Sequence, residues 1–271
     1  KQYLRDGIVV PSRSPYRMQP VIVMKKDGGV RVCVDYRPLN AITQLFAYPC
    51  PSVKALLDQL AGAEWFSKLD LAQGYMQIPI AEKDRHRTAF QGPPPYGLLE
   101  FTRMPFGLKN APAIFQQVME SMFADMLFKG VIIYIDDILV YGSTREEHDA
   151  RLKATLGRLR EFGARLKPSK CVCSERKIEF LGYVISGRGV SPAQPYQDVI
   201  RDMKEPESTA ELKSALGFFA YYKVFCPQFA LIAAPLYQLL KKDVPFEWTA
   251  ERGKAYTQLK QALCEPRALL V

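Results

Sequence analysis

Three aspartates give this sequence the residues needed for metal-ion chemistry. Asp136 and Asp137 are adjacent in VIIYIDDILV, between two apolar runs rich in β-branched residues, and such runs are typical of buried strands. An adjacent acid pair inside one strand would point to opposite faces and bury a charge at a cost of several kcal/mol. A tight hairpin connection from Tyr134 to Ile138 would instead place both carboxylates at its tip, facing one polar site.

Asp70 supplies a third carboxylate, because it lies near the end of another apolar segment, Trp65 to Leu71. Three acids at strand ends would form a site for hard divalent cations, which bind oxygen ligands. The alternative is an ordinary solvated Asp-Asp turn, the usual outcome for an isolated apolar-Asp-Asp-apolar segment. The presence of Asp70 favours the cation site over that alternative.

A basic hairpin precedes the acids in the chain. Val21 to Met24 and Val30 to Val34 are predicted strands, and KDGG between them predicts a turn. Lys25, Lys26 and Arg31 would suit binding of a polyphosphate, since arginine forms forked hydrogen bonds and lysine supplies a mobile charge. The alternative is a solvated basic hairpin that binds nothing.

Hydrophobic periodicity predicts the elements around these residues, and the pattern changes near residue 190 from mixed helices and strands to helices alone. Before that point we predict helices over Pro49 to Leu60 and over Asn110 to Phe128, the second with Asn110 as N-cap, and a strand over Met76 to Ile80. A further helix is predicted to be capped by Ser143 and Thr144 and to end at Gly163. Two strands are predicted over Ile178 to Ser186, with a bend at Leu181 to Tyr183. Beyond it we predict helices over Gln194 to Lys204, Ser208 to Phe225, Ala230 to Lys242 and Thr249 to Cys264.

Composition and charge indicate a globular protein with a polyanionic partner. The chain has 271 residues, enough for about two domains, and its hydrophobic and charged contents of 48% and 24% are ordinary for globular proteins. A net charge of +9 favours nucleic acid as the partner. No apolar run approaches the roughly 18 residues of a membrane span, and the N-terminal KQYLRDG is not a signal peptide, so we expect an intracellular protein without a membrane partner.

The cysteines and histidines do not indicate a zinc site. Six cysteines are scattered without a CxxC pair, and the chain has only two histidines. Structural zinc sites usually show closely spaced ligand pairs. We therefore expect free, mostly buried thiols and no structural zinc.

The order of many short blocks resembles that of reverse transcriptases. The blocks are VPSRSPY, VRVCVDYRPLN, FSKLDLAQGYMQI, RMPFGLKNAPAIFQ, YIDDILVYG, EEH, IEFLGYVIS, ELKSALGFFAYYKVF, APLYQLLKK and FEWTAE. They are most similar to those of Gypsy-class LTR retrotransposons and more distantly to leukaemia-type retroviral enzymes. The resemblance implies an α+β right-hand polymerase with fingers at residues 1–63 and 81–102, a palm at 64–80 and 103–189, a helical thumb at 190–243, and the start of a connection at 244–271.

The resemblance also implies roles for individual residues. Asp70 and Asp136 would bind two Mg²⁺ ions, for which Mn²⁺ could substitute, and Asp137 would assist more peripherally. Arg31 with Lys25 or Lys26 would hold the triphosphate of a dNTP, Tyr75 would close the sugar pocket, and Phe106 would form a pocket wall. Leu181, Gly182 and Tyr183 match the primer grip, and the thumb helix with Lys213 and Tyr222 would lie along the duplex.

The implied function is an RNA- and DNA-templated DNA polymerase that extends a primer with dNTPs in the cytoplasm, in a virus-like particle or in the nucleus. Beyond Cys264 only Glu265 remains as an acid, so we expect no RNase H activity from this chain. Several positions depart from the family pattern, among them Gln73, Met76, QGPPPYGLLEF and SPAQPYQDV. The alternatives are a catalytically silent domesticated relative that binds nucleic acid or protein, and an RNA-dependent RNA polymerase. The oligomeric state stays open.

Overall fold

The computed structural model of the protein describes residues 2–24 and 30–264. The strands are β1 Val9–Pro11, β2 Pro20–Met24, β3 Val30–Val34, β4 Trp65–Asp70, β5 Phe90–Gln91, β6 Leu98–Phe101, β7 Val131–Tyr134, β8 Asp137–Gly142, β9 Val172–Glu175, β10 Lys177–Phe180, β11 Tyr183–Ser186 and β12 Gly189–Pro192. The helices are α1 Gln2–Arg5, α2 Arg37–Ile42, α3 Val53–Asp58, α4 Glu82–Arg85, α5 Ala111–Met122, α6 Arg145–Glu161, α7 Gln194–Asp202, α8 Thr209–Tyr221, α9 Phe229–Gln238 and α10 Ala250–Cys264. Within the described ranges no helix combines the length and apolarity required to cross a bilayer.

The chain divides into two compact units. The first comprises Lys1–Pro51, Lys68–Val140 and Ala150–Val172, and the second comprises Ser52–Ser67, Tyr141–Asp149 and Cys173–Val271. Strands β4, β8 and β9 each continue from one unit into the other along the backbone. Each unit is therefore built from segments that are distant in sequence.

The first unit contains the basic hairpin predicted from the sequence. Strands β2 and β3 pair antiparallel, with Met24 opposite Val30 and Val23 opposite Arg31. Lys25 and Lys26 lie outside the described residues. A second antiparallel sheet has the order β1-β6-β5.

The apolar core beneath the acid pair comes from α5 and the strands on either side of the acids. Phe115 and Met119 of α5 pack with Leu69 of β4, Ile133 of β7 and Ile138 of β8 in one buried cluster. Strands β7 and β8 are buried on both faces, as their continuous apolar runs predict, while the strand ends that carry the acids reach the boundary of the core.

Helix α5 begins directly after Asn110, as predicted, and ends earlier than predicted. Asn110 makes no side-chain cap and instead joins the segment at residues 44–46, where its Oδ1 accepts from Phe46 N at 3.1 Å and its Nδ2 donates to Gln44 O at 2.8 Å. The helix ends at Met122 rather than Phe128, because Arg158 of α6 donates to the Met122 carbonyl at 2.5 Å and to Asp125 at 2.8 Å. A tertiary hydrogen bond thus stabilises the C-terminal end of α5.

The predicted strand over Met76 to Ile80 is wrong. Gln73 has φ 52°, and Gly74–Gln77 forms a single turn of 3₁₀ helix. Only the end of the segment is extended, where Ile80 N donates to Thr102 O and Met104 N donates to Ile78 O, both at 2.9 Å. A left-handed residue at 73 turns the chain too sharply for a strand to start there.

The second unit confirms the predicted change to helices, slightly later than expected. An antiparallel sheet of order β10-β11-β12 contains the predicted strand pair over Ile178 to Ser186 and continues to Pro192. Helices α7 to α10 follow, each shorter than its predicted span, and α10 packs against α7 and α9. Thr144 Oγ1 accepts from Glu147 N at 3.2 Å, so the predicted cap of α6 is confirmed.

A buried polar network crosses the second unit. Ser67 and His148 are both fully buried, and Ser67 Oγ lies 2.9 Å from His148 Nε2. Ser67 Oγ also accepts from Ser174 N at 2.9 Å, and His148 Nδ1 lies 2.9 Å from Asp149 Oδ1. A carboxylate only accepts, so Nδ1 carries the proton and, in the neutral ring, Nε2 accepts from the serine hydroxyl.

Replacing Ser67 by alanine tests what this network contributes to stability. Ser67→Ala leaves His148 Nε2 and Ser174 N without their partner in a buried place, which should lower the free energy of unfolding by about 1–3 kcal/mol. Ser214→Ala, at an exposed serine of α8, is the matched control and should stay within about 0.5 kcal/mol. Urea titration measures both values. Equal stability of the two variants would contradict a stabilising role for the network.

Candidate active site

The acid pair lies at the tip of a two-residue hairpin turn, as the sequence predicted. Strands β7 and β8 are antiparallel, and their last pair is Tyr134 with Asp137, so only Ile135 and Asp136 form the loop. Ile135 has φ 54°. A β-branched residue is strained in this left-handed region, typically by about 1–3 kcal/mol, so other contacts must hold the turn.

Asp136 is exposed at the tip of the turn, yet its ionised form is disfavoured. Surrounding protein atoms remove part of its water, and this desolvation is the main cause that raises its pKa above the ordinary aspartate value. The negative charges of Asp137 and Asp70 raise the pKa further, while backbone hydrogen bonding and Lys170 act in the opposite direction. Asp70 and Asp137 therefore both lie close enough to repel Asp136.

Two lysines that sequence reasoning missed pair with the other two acids. Lys68 Nζ lies 3.1 Å from Asp137 Oδ1, and Lys170 Nζ lies 3.0 Å from Asp70 Oδ2. Lys68 is two residues before Asp70 on the same strand, so the alternation of strand side chains could have pointed to it. Lys170 follows α6 and is 100 residues from Asp70, and no local signal connects the two.

The chemistry of this donor set fits magnesium, although the protein alone does not complete the site. Among residues 2–24 and 30–264 no three acidic, histidine or cysteine side chains are arranged to hold an ion by themselves. Three mutually repelling carboxylates nevertheless present hard oxygen ligands. Mg²⁺ commonly takes one or two carboxylates and completes its shell with water and substrate phosphates.

An aromatic wall lies beside Asp136. The Tyr75 ring centroid lies 5.2 Å from that of Phe106 and 5.2 Å from that of Phe115. Burial, and secondarily the charge of Asp136, raises the pKa of the Tyr75 phenol. At Gly74 an added Cβ would lie 3.0 Å from the Phe115 ring and 3.6 Å from Asp136 Cβ, so glycine allows the backbone to approach both.

Hydrogen bonds tie the loop after Phe106 to helix α2. Asn40 Nδ2 donates to Gly107 O at 2.8 Å, and Asn40 Oδ1 accepts from Lys109 N at 2.8 Å. Lys109 Nζ donates to Thr43 O at 2.8 Å. The sequence blocks RPLN and FGLKNAP therefore form one clamp that holds the segment carrying the aromatic wall.

The predicted primer-grip residues form a second tight turn, in the second unit. Leu181 with φ 50° and Gly182 with φ 79° connect β10 to β11. An added Cβ at Gly182 would lie 2.8 Å from the Tyr222 hydroxyl oxygen, so both the backbone conformation and the space require glycine. Tyr221, which sequence reasoning missed, donates its hydroxyl to Leu181 O at 2.9 Å.

Two of the residues predicted to line the duplex lie behind this turn. Tyr183 and Tyr222 are 2% and 1% exposed, and the Tyr222 hydroxyl lies 3.4 Å from Gly182 O. In this arrangement both tyrosines support the turn from the core instead of presenting a surface. Tyr221 is 45% exposed, and Lys213 is exposed on α8.

The chain matches a known protein family and known transposon proteins. Residues 23–185 match the family described as reverse transcriptase (RNA-dependent DNA polymerase). The chain is 34% identical over 268 residues to the transposon Tf2-3 polyprotein of Schizosaccharomyces pombe, which covers 99% of this chain and 20% of the polyprotein. The Tf2-7 polyprotein of the same organism is also 34% identical over the same length. The chain spans about a fifth of the length of these curated relatives.

Solved viral structures share the fold. The foamy viral protease-reverse transcriptase dRH in complex with dsDNA has a TM-score of 0.89 and 27% identity, and the match covers 98% of this chain and 47% of that one. The foamy viral protease-reverse transcriptase in complex with RNA/DNA hybrid has a TM-score of 0.82 and 27% identity, with 98% and 36% covered. These likenesses confirm the predicted α+β polymerase fold.

The raised pKa of Asp136 predicts how the acids affect stability without metal. Because the folded protein disfavours the ionised carboxylate, Asp136 destabilises the fold at neutral pH, and protonation relieves this as the pH falls through its raised pKa. In EDTA at pH 7, Asp136→Asn should raise the melting temperature by about 1–3 °C, and the gain should shrink towards acid pH.

Asp58→Asn is the matched control for that measurement, because it neutralises an exposed acid that is paired with Lys54 and does not act on Asp136. Its melting temperature should stay level or fall. A similar gain in both variants, or a gain for Asp136→Asn that does not depend on pH, would contradict the electrostatic explanation.

Proposed function

We infer that this chain, which belongs to the reverse transcriptase family, copies an RNA or DNA template by adding deoxynucleotides to the 3′-hydroxyl of a primer. The similarity to transposon polyproteins confirms the resemblance to LTR-retrotransposon enzymes. Because the chain spans a fifth of those relatives, the activity of the full-length protein is part of the proposal.

The observation that carries the proposal is the convergence of three carboxylates beside an aromatic wall. Asp70 and Asp137 act electrostatically on Asp136, and Asp136 acts on Tyr75, so the acids and the ring share one site. Nucleotidyl transfer needs such a combination, because charge develops on the attacking and leaving oxygens while the sugar must be held in place.

Asp70 and Asp136 would hold two Mg²⁺ ions, with assistance from Asp137. When bound, the ions would activate the primer hydroxyl and neutralise charge on the leaving pyrophosphate. In the structure, Lys68 forms an ion pair with Asp137, and Lys170 forms one with Asp70. In the absence of metal, both lysines would offset the negative charges of Asp137 and Asp70.

Tyr75 would select the sugar by exclusion. Its ring is held between Phe106 and Phe115, with both centroids 5.2 Å away, so it has little freedom to move aside. A fixed ring under C2′ leaves room for a deoxyribose and rejects a 2′-hydroxyl.

The fingers and the thumb would contact different parts of the substrate. Arg31, with Lys25 or Lys26, would bind the triphosphate from the fingers. The turn at Leu181 and Gly182, with Lys213 on α8, would contact the primer–template duplex. The similar foamy viral proteins are in complex with dsDNA and with RNA/DNA hybrid, and a net charge of +9 suits a duplex partner bound through its phosphates.

A catalytically silent relative that binds nucleic acid without extending a primer is the second candidate. One observation favours it: two of the three acids are ion-paired with lysines, as they would be in a fold that no longer binds metal. The raised pKa of Asp136 favours the polymerase, because its ionised form is disfavoured by desolvation and by two neighbouring carboxylates, and a bound cation would offset that cost.

A primer-extension assay with Asp136→Asn separates the two candidates. The neutral amide cannot replace a charged metal ligand, so extension should fall by at least about 10³-fold while binding of the primer–template stays within about two-fold. Asp58→Asn, which alters an exposed acid paired with Lys54, is the control and should extend normally. Absence of extension by the wild-type protein with Mg²⁺ or Mn²⁺ would favour the silent relative.

Substitutions of Tyr75 test the sugar selection. Tyr75→Val opens the space under C2′ and should raise ribonucleotide incorporation relative to deoxyribonucleotide by about 10-fold or more. Tyr75→Phe keeps the ring and removes only the hydroxyl, so its discrimination should match that of the wild type. Competition assays with matched dNTP and NTP measure the ratio. Unchanged discrimination in Tyr75→Val would remove Tyr75 from this role.

A further inference from the structure

We propose that Gln116 is a positioning residue that holds the Ile135–Asp136 turn in its strained conformation and thereby aims Asp136 into the site. This inference rests on the proposed function, since aiming Asp136 matters for the reaction only if Asp136 is a catalytic ligand. It assigns a role to a buried glutamine that the proposed chemistry does not otherwise use.

The contacts of Gln116 are specific to the turn. Its side chain is fully buried on α5, and Oε1 accepts from Ile135 N at 2.6 Å. Its Nε2 donates to Ile133 O at 3.2 Å, at the end of β7. One side chain therefore satisfies a strand carbonyl and the first N–H of the turn, which a glutamine can do because its amide both accepts and donates.

The turn needs this support because its own strands do not provide it. The ladder between β7 and β8 ends at Tyr134 and Asp137, so the Ile135 N–H has no partner across the hairpin. Ile135 is β-branched and has φ 54°, a region in which such residues are rarely found. Without the bond to Gln116, the Ile135 N–H would have no hydrogen-bond partner, and no contact of this side chain would oppose relaxation of the Ile135 φ angle.

Gln116 is itself held in place from the other side. Its Nε2 donates to Glu120 Oε1 at 2.7 Å, and Glu120 Oε2 accepts from the Tyr48 hydroxyl at 2.5 Å. This hydrogen bond is the main cause that raises the pKa of Tyr48. The chain Tyr48, Glu120, Gln116, Ile135 thus ties the turn to helix α5 and to the segment before α3.

Relaxation of the turn would redirect Asp136. The dihedral angles of Ile135 set the direction in which the next residue leaves the hairpin, so a change of φ towards negative values would change the direction of the Asp136 side chain. Misplacement of a catalytic group by about 1 Å can lower a rate by up to about 100-fold. Gln116 would therefore affect the chemical step while contacting neither metal nor substrate.

Paired variants of the full chain separate positioning from simple packing. Gln116→Met keeps the side-chain volume and removes all three hydrogen bonds. Ile135→Gly removes the strain, because glycine accepts a positive φ without cost from a side chain. The set comprises each single variant, the double variant, and Gln117→Met as a control at the exposed neighbouring glutamine.

The measurements are the rate of single-nucleotide incorporation, the KM for dNTP, the Kd for primer–template, and Mn²⁺ affinity by electron paramagnetic resonance. Gln116→Met should lower the incorporation rate about 10- to 100-fold, with KM and primer–template Kd within about two-fold. In the Ile135→Gly background the same substitution should cost less than about three-fold, and Mn²⁺ affinity should follow the same pattern. Gln117→Met should match the wild type.

Two results would overturn the proposal: an unchanged rate and Mn²⁺ affinity in Gln116→Met, or equal losses in both backgrounds, which would indicate packing alone. Failure of the proposed function would look different, because the wild-type protein would then extend no primer. In that case the Mn²⁺ affinities still decide whether Gln116 positions Asp136.

Discussion

Mutual repulsion of three carboxylates is the constraint on which the arrangement of this site depends. Asp70, Asp136 and Asp137 come from two adjacent strand ends above a buried apolar cluster, which removes part of the water around Asp136. Two lysines offset part of this negative charge, Lys68 at 3.1 Å from Asp137 and Lys170 at 3.0 Å from Asp70. Among the described residues no lysine forms an ion pair with Asp136, and the pKa of Asp136 is raised above the ordinary aspartate value. Its position at the tip of a strained turn leaves this disfavoured charge exposed.

The two turns assigned to function are built in the same way. At Ile135 and again at Leu181, an aliphatic residue takes a positive φ at the first position of a two-residue hairpin loop. In each case a polar side chain from a helix bonds to the backbone of that residue, Gln116 to the N–H of Ile135 and Tyr221 to the carbonyl of Leu181. Strain of this kind persists only where the surroundings over-determine it, and both helices supply that support.

Sequence patterns predicted the parts of the fold that depend on local order. The acid pair at a hairpin tip, the strand pair around Leu181, the cap of α6 and the later helices all follow from periodicity and turn residues. Other features depend on long-range contacts that local patterns do not show. The Asn110 side chain bonds to a loop 66 residues away instead of capping its helix, and Lys170 pairs with Asp70, which is 100 residues away. Tyr222 continues the buried face of α8, three residues after Phe219, so helical periodicity could have shown that it faces the core rather than a duplex.

The network at Ser67 has a consequence for the order in which the protein folds. Its bonds join residues that are 81 and 107 positions apart, from Ser67 to His148 and from Ser67 to Ser174. Closing such long loops lowers the chain entropy before the contacts can stabilise the protein. These bonds are therefore expected to form after the transition state for folding. Loss of interactions that form late accelerates unfolding and leaves the folding rate almost unchanged. The network would thus set how long the second unit stays folded once formed, a kinetic property separate from its equilibrium stability.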